Sequence, residues 1–146
     1  MAHAPTSRKV KGTNGVIAML DGIDGIILDV IERVDNRTCL RRKGQARLYI
    51  DQFRLGYGLN AIEAWAMGMP VIADAPDAII NRLLKIIGFL PFVRCPLADL
   101  RDMVLKLRSD LEFYQDGVTR GQQCYEKFHS PASAARRALA YYEQAI

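Results

Sequence analysis

The sequence predicts an α/β domain in which a mostly parallel sheet is covered by helices. Three observations lead there. From Gly22 onward, short β-branched or apolar runs alternate with helical patterns. Within the helical stretches apolar residues recur every three or four positions. Helix stops are spelled out, as at Gly68 and Pro70, where glycine accepts the left-handed position after a last turn and proline cannot continue.

Taken in order, "HAP" at 3–5 reads as a short first strand, followed by the polar loop "TSRKVKG" and a helix over roughly 14–21 that Thr13 caps. "GIILDVIERV" (25–34) reads as a buried strand, "ARLYIDQF" (46–53) as the next and "PVIADAP" (70–76) as a third. Between the last two, Leu59, Ile62, Ala66 and Met67 fall at helical spacing. "DAIINRLLKII" (77–87) is a helix and "FVRCP" (92–96) a short strand. From Leu97, the residues Leu100, Met103, Val104, Leu107 and Leu111 share one helical face, and Gly117 and Gly121 predict a break. Ser130 then restarts a helix with a capping hydroxyl and Pro131 at its first position. Residues 1–146 therefore read as a single domain closed by helices over about 97–146, without repeats or low-complexity linkers.

Composition fits one core: half of the 146 residues are hydrophobic and a quarter charged. The excess of 20 basic over 16 acidic side chains is mild, and much of it lies in "SRKVKG" (7–12) and "RRKGQAR" (41–47). Such a surface suits an anionic ligand. Arg41, Arg42 and Lys43 read as a solvated helix face, and without interleaved aromatics they do not make a nucleic-acid patch. Three widely spaced cysteines give neither a disulfide framework nor zinc-ligand spacing, and His3 and His129 are too isolated to add one, so no metal or cofactor is expected. With no membrane-length apolar run and no signal-like start, the expected location is cytoplasmic.

The chemistry concentrates in "LGYGLNAIEAWAMGMPV" (55–71). Gly56 and Gly58 follow the strand "RLYIDQF", at the carboxyl end where open α/β sheets bind ligands. Without Cβ atoms they let the backbone approach a bulky group, while the unpaired amides of the following helix favour negative charge. They also serve a turn by themselves. Glu63 has two compatible readings. With Asn60 as N-cap it completes a capping box; one turn into the helix, it also faces the crevice and can accept hydrogen bonds from sugar hydroxyls. Tyr57 stacks on a ligand or packs on its own strand. Asp51 and Gln52 end the strand, where Asp51 can cap or orient the loop. Trp65, Met67 and Met69 read as core.

These residues carry a resemblance. "GYGLNAIEAWAMGMPVIA" (56–73) resembles the donor-binding motif of family 4 glycosyltransferases of the GT-B type, in which a glycine loop, a glutamate, a small-residue helix and a "G-x-P-V-I-A" strand follow in that order. "HAPTSRKVKGT" (3–13) is similar to the opening of their carboxy-terminal lobe and "YEKFHSPASAARRALAYYEQ" (125–144) to its closing helices. The resemblance implies a Rossmann-like three-layer domain corresponding to that lobe, binding a nucleotide-diphosphate sugar for retaining, metal-independent hexosyl transfer. It implies that Glu63 binds the ribose hydroxyls, that the amides of Gly58, Leu59 and Asn60 meet the diphosphate, and that Lys11, before Gly12, neutralises it with Arg8. Gly56 and Tyr57 complete the expected donor-binding set; no residue is assigned to catalysis.

Two departures qualify it. The family's motif has a glutamate eight positions before the second, where this chain has Leu55. A GT-B site also lies between two lobes, and this length accommodates one. The first strand begins almost at Met1, as if the lobe were cut from something longer, so the acceptor lobe would come from another chain, and uncovered apolar surface makes a homo-oligomer plausible. The alternative reading is a non-catalytic truncated lobe serving nucleotide binding or assembly. A different dinucleotide binder is disfavoured, because no G-x-G-x-x-G follows the first strand.

Overall fold

A computed structural model describes residues 1–144. Five strands, β1 (Ala2–His3), β2 (Asp29–Val30), β3 (Tyr49–Ile50), β4 (Val71–Ala73) and β5 (Val93–Arg94), form an all-parallel sheet in the order β2-β1-β3-β4-β5. Eight α-helices accompany them: α1 (Arg8–Lys11), α2 (Thr13–Leu20), α3 (Asn36–Lys43), α4 (Leu59–Ala66), α5 (Asp77–Ile87), α6 (Leu100–Ser109), α7 (Leu111–Cys124) and α8 (Pro131–Glu143). The expected three-layer, Rossmann-like α/β architecture is thus what the chain adopts.

A parallel sheet covered on both faces buries its central strands, and successive side chains enter opposite layers. Tyr49, Val71, Ala73 and Phe92 join a layer built on Trp65, Ala61, Ala64, Ile80 and Ile87. Their neighbours Leu48, Ile50, Ile72 and Val93 join the other, with Val16, Leu20, Leu100, Val104 and Leu107. Helices α4 and α5 therefore lie on one side of the sheet and α2 and α6 on the other, while α7 contributes Phe113 and Tyr114 to the second layer and Cys124 to the first.

Several boundaries depart from the sequence reading, each for a local reason. The strand expected over 25–34 contracts to Asp29–Val30, and Ile27 is exposed. Thr13 lies inside α2, whose N-cap is Gly12; its hydroxyl is engaged with His3 instead. Gly58 rather than Asn60 is the N-cap of α4, so no capping box forms. Met67, the C-cap of α4, is exposed, whereas Trp65 and Met69 are buried as expected.

The break expected at Gly117 and Gly121 is absent, and it falls instead at Asp110, whose carboxylate accepts from the Phe113 amide to start α7. The two glycines are contact residues. A Cβ on Gly121 would lie 2.3 Å from Trp65 Cδ1, and one on Gly117 would lie 3.1 Å from Pro70 Cβ. Glycine lets α7 press its backbone onto the α4 tryptophan. Alanine gains about 1 kcal/mol in helix propensity, and the steric outcome decides the sign. Gly121→Ala is expected to destabilise by a net 1–3 kcal/mol, roughly the range for overpacking, while Gly117→Ala stays within about 1 kcal/mol of wild type. Urea unfolding of both variants checks the order; equal midpoints would contradict it.

Candidate functional site

The carboxyl ends of β1 and β3 adjoin one another, and the segments leaving them carry most of the residues singled out from sequence. After β3 the chain continues through Asp51 and Gln52, both buried, then turns at Gly56. Gly56 has φ +76° and its amide donates to the Asp74 carbonyl; a Cβ there would approach Leu83 at 3.4 Å. This glycine is explained by the turn and its packing on α5.

Gly58 is different. Its φ of −123° is open to any residue, and a Cβ would meet only ordinary contacts, at 3.7–3.8 Å, with Asp51 Oδ2, Gln52 Nε2 and Lys11 Nζ. The fold does not demand glycine here, and its absent side chain brings the backbone close to a buried polar cluster.

Asp51 organises that cluster. The carboxylate has no exposed side-chain surface; one oxygen pairs with the Lys11 ammonium and the other accepts the Gly58 amide at 2.8 Å. Lys11 is buried at the end of α1, held there by Gly12, whose φ of +68° joins α1 to α2. The structure therefore brings Lys11 beside Gly58, as the resemblance requires, but with the lysine charge matched and the Gly58 amide occupied by the chain's own carboxylate.

Glu63 sits on α4 with its side chain 22% exposed. Its partner is Lys43 at the end of α3, which has no side-chain exposure and donates to Glu63 Oε2 at 2.5 Å and to Asn60 Oδ1 at 2.8 Å. Asn60 in turn donates to the Ala4 carbonyl at 3.2 Å, while the Ala4 amide donates to the Tyr49 hydroxyl. The Lys43 ammonium lies 5.0 Å from the Tyr49 ring centre, a cation-π approach. Helix α3, the first turn of α4 and the exits of β1 and β3 are thereby tied together beneath Glu63.

Lys43 was expected in solvent with Arg41 and Arg42, and only Arg41 is exposed; Arg42 pairs with Asp29. A signal for its burial exists in the sequence: Cys39, one turn earlier on α3, packs on the core and marks the inward stripe.

The remaining candidates scatter. Arg8 is half exposed and forks onto Glu32 at 2.7–3.1 Å, with one further bond to Asn14. Tyr57 packs its ring on Trp65, with centroids 4.8 Å apart, and places its hydroxyl 3.2 Å from His129 Nε2; burial pushes the phenol up to about 12. The ring packs on α4 rather than on its own strand. Leu59 is exposed on the first turn of α4, and Leu55 is exposed in the loop. A cavity of about 570 Å³ opens at the opposite, amino-terminal rim of the sheet, between Met1, Leu48, Arg108 and Tyr114, and touches none of the candidate residues.

His3 closes the site from below. Its Nδ1–H donates to the Ile50 carbonyl at 2.8 Å and its Nε2 lies 2.9 Å from the Thr13 hydroxyl, which places the imidazole between β1, β3 and α2. Burial lowers its pKa, and Lys11 lowers it further.

Among the described residues no cluster of metal ligands occurs, and no helix is long and apolar enough to cross a membrane. No protein-family model matches the chain, and no curated protein matches it. Fold and site together define a class: a Rossmann-like α/β domain with a cluster of charged and polar side chains at the carboxyl ends of its strands, in the position where such sheets take ligands.

The histidine yields a signed expectation. An unfolded His3 takes up a proton below its ordinary pKa of 6.5, which the folded imidazole resists, so stability is fully present above that pH and falls as the solution is acidified. Urea midpoints measured between pH 7 and 5 should therefore decline less steeply in His3→Gln than in wild type. Parallel declines would show that His3 is not held neutral.

Proposed function

We propose that the chain is the donor-binding lobe of a glycosyltransferase of the GT-B type. It holds a nucleotide-diphosphate sugar for retaining hexosyl transfer, with the acceptor lobe supplied from outside these 146 residues. The observation that carries this reading is the placement of Glu63. An acid fixed by a buried lysine, one turn into a helix whose N-cap is a glycine, can grip the vicinal hydroxyls of a ribose while the helix start faces the adjoining phosphates.

The chemistry follows from charge. Cleaving a sugar–diphosphate bond leaves negative charge on the departing oxygens. Fixed amides of the first turn of α4, at Leu59 and Asn60, together with Lys11, stabilise that charge without a metal ion. The ligand must then share Lys11 with Asp51. Exposed Val10, Leu55 and Leu59, on the segments leaving β1 and β3, offer the apolar rim that a second lobe would cover.

A second reading, a non-catalytic module for nucleotide binding or assembly, also has a specific observation behind it. Asp51 already compensates Lys11 and occupies the Gly58 amide, and Leu55 stands where the family has its first glutamate.

Titration calorimetry with uridine and guanosine diphosphates tests binding. One of them should bind, and Glu63→Ala and Lys11→Ala should each weaken it by about 1–3 kcal/mol, the range for hydrogen bonds to charged groups. Affinity unchanged in both variants would remove the donor-lobe reading. Binding without nucleotide-sugar hydrolysis or transfer, when an acceptor lobe is supplied, would favour the module.

A further inference from the structure

Lys43 is the least expected charge in the molecule. It is a lysine with no side-chain exposure whose partner Glu63 remains in contact with solvent. Burying an ammonium costs several kcal/mol, and an apolar side chain of similar volume commonly fills such a position at no loss of stability. Nor is the lysine required to neutralise a buried acid, since Glu63 retains access to water. Its contacts show what it does instead. One proton reaches Glu63 Oε2, a second reaches Asn60 Oδ1, and the ammonium is backed by the Tyr49 ring. Asn60 cannot swing to follow, because its amide is committed to the Ala4 carbonyl. Among the described residues Glu63 Oε1 has no hydrogen-bond partner. The carboxylate is thus gripped by one oxygen from beneath and left with the other free.

Resting on the donor-lobe reading, we propose that Lys43 is the positioning residue of the nucleotide site: it locks the Glu63 carboxylate in the orientation that accepts the ribose hydroxyls, and so sets the preference for a ribonucleotide over a deoxyribonucleotide. Lys43 touches no ligand in this arrangement. It acts through Glu63 and, by the same ammonium, holds Asn60 at the start of α4, so the pentose and phosphate ends of the site share one anchor.

A purely structural lysine and a positioning lysine differ in what they do to selectivity. Loss of a structural residue weakens uridine diphosphate and its 2′,3′-dideoxy counterpart alike. Loss of a positioning residue weakens the first and spares the second. For the nucleotide base that the wild-type chain binds, calorimetry should give a ribo-to-dideoxy affinity ratio of about tenfold or more, the worth of hydrogen bonds to a charged acceptor. Lys43→Met should collapse that ratio toward unity, as should Glu63→Ala, and the double variant should lose no more than either alone. A Lys43→Met chain that binds both nucleotides more weakly but keeps the ratio overturns the proposal while leaving the donor-lobe reading intact. A wild-type chain that binds neither uridine nor guanosine diphosphate removes both.

Should Lys43→Met fail to fold, nitrogen-15 spectra of the wild-type Lys43 ammonium serve instead. A slowly exchanging signal with through-bond coupling to the Glu63 carboxylate, retained when nucleotide is added, is the expected result. Loss of the coupling on nucleotide addition would show Glu63 leaving its anchor to bind and would overturn the proposal.

Discussion

Asp51 is the constraint on which the crevice depends. A carboxylate removed from water at the end of β3 must recover its hydration from the protein, and it does so from the Lys11 ammonium and the Gly58 amide. Those two partners come from segments with no other reason to meet: the short helix after β1 and the loop after β3. By binding both, Asp51 sets where α1 ends, where α4 begins and how closely the two approach. His3, held between Ile50, beside Asp51 in the chain, and Thr13, just past Gly12, braces the same joint from the other layer. Remove the acid, and Lys11 becomes an unpaired buried cation at the base of an unfastened loop.

A second ion pair at the same strand ends repeats the logic with the roles reversed. At Asp51 the acid is hidden and its lysine is almost so; at Glu63 the lysine is hidden and the acid reaches solvent. Each cation is matched by an anion, so the floor of the crevice carries little net charge. An anionic ligand there is attracted chiefly by the unpaired amides at the start of α4 and by whatever share of Lys11 it draws from Asp51. If the donor-lobe reading holds, selectivity there would rest on where Glu63 is held more than on electrostatic attraction.

What could be read in the sequence was what depends on local chemistry. Strand–helix alternation gave the parallel sheet, Asp77–Ile87 was legible as a helix from end to end, and Ser130 with Pro131 marked the start of α8. What escaped depends on partners distant in sequence. Gly117 and Gly121 look like helix breakers until Pro70 and Trp65 are placed against them, whereupon they become the positions where two helices and the sheet come nearest. Asn60 looks like a cap for Glu63 until Lys43 arrives between them and takes both side chains. Lys43 itself hides in a basic run whose other members do meet solvent or a surface acid, and its burial is decided by the face of α3 that Cys39 turns inward.

Exposed apolar side chains lie beside the polar cluster. The cluster is polar and largely bonded within itself, whereas Val10, Leu55 and Leu59 stand exposed on the segments around it. An apolar rim beside a polar floor suits closure by a second surface: covering it removes hydrocarbon from water and dries the site in one step, which strengthens every hydrogen bond beneath. Binding a ligand and reacting it therefore make different demands on this chain. On the donor-lobe reading, contacts to a nucleotide would come from within the domain, while the exclusion of water needed for transfer would depend on what is laid against that rim. For a glycosyl transfer, in which water competes directly with the acceptor, the second requirement determines whether the fixed floor becomes an active site.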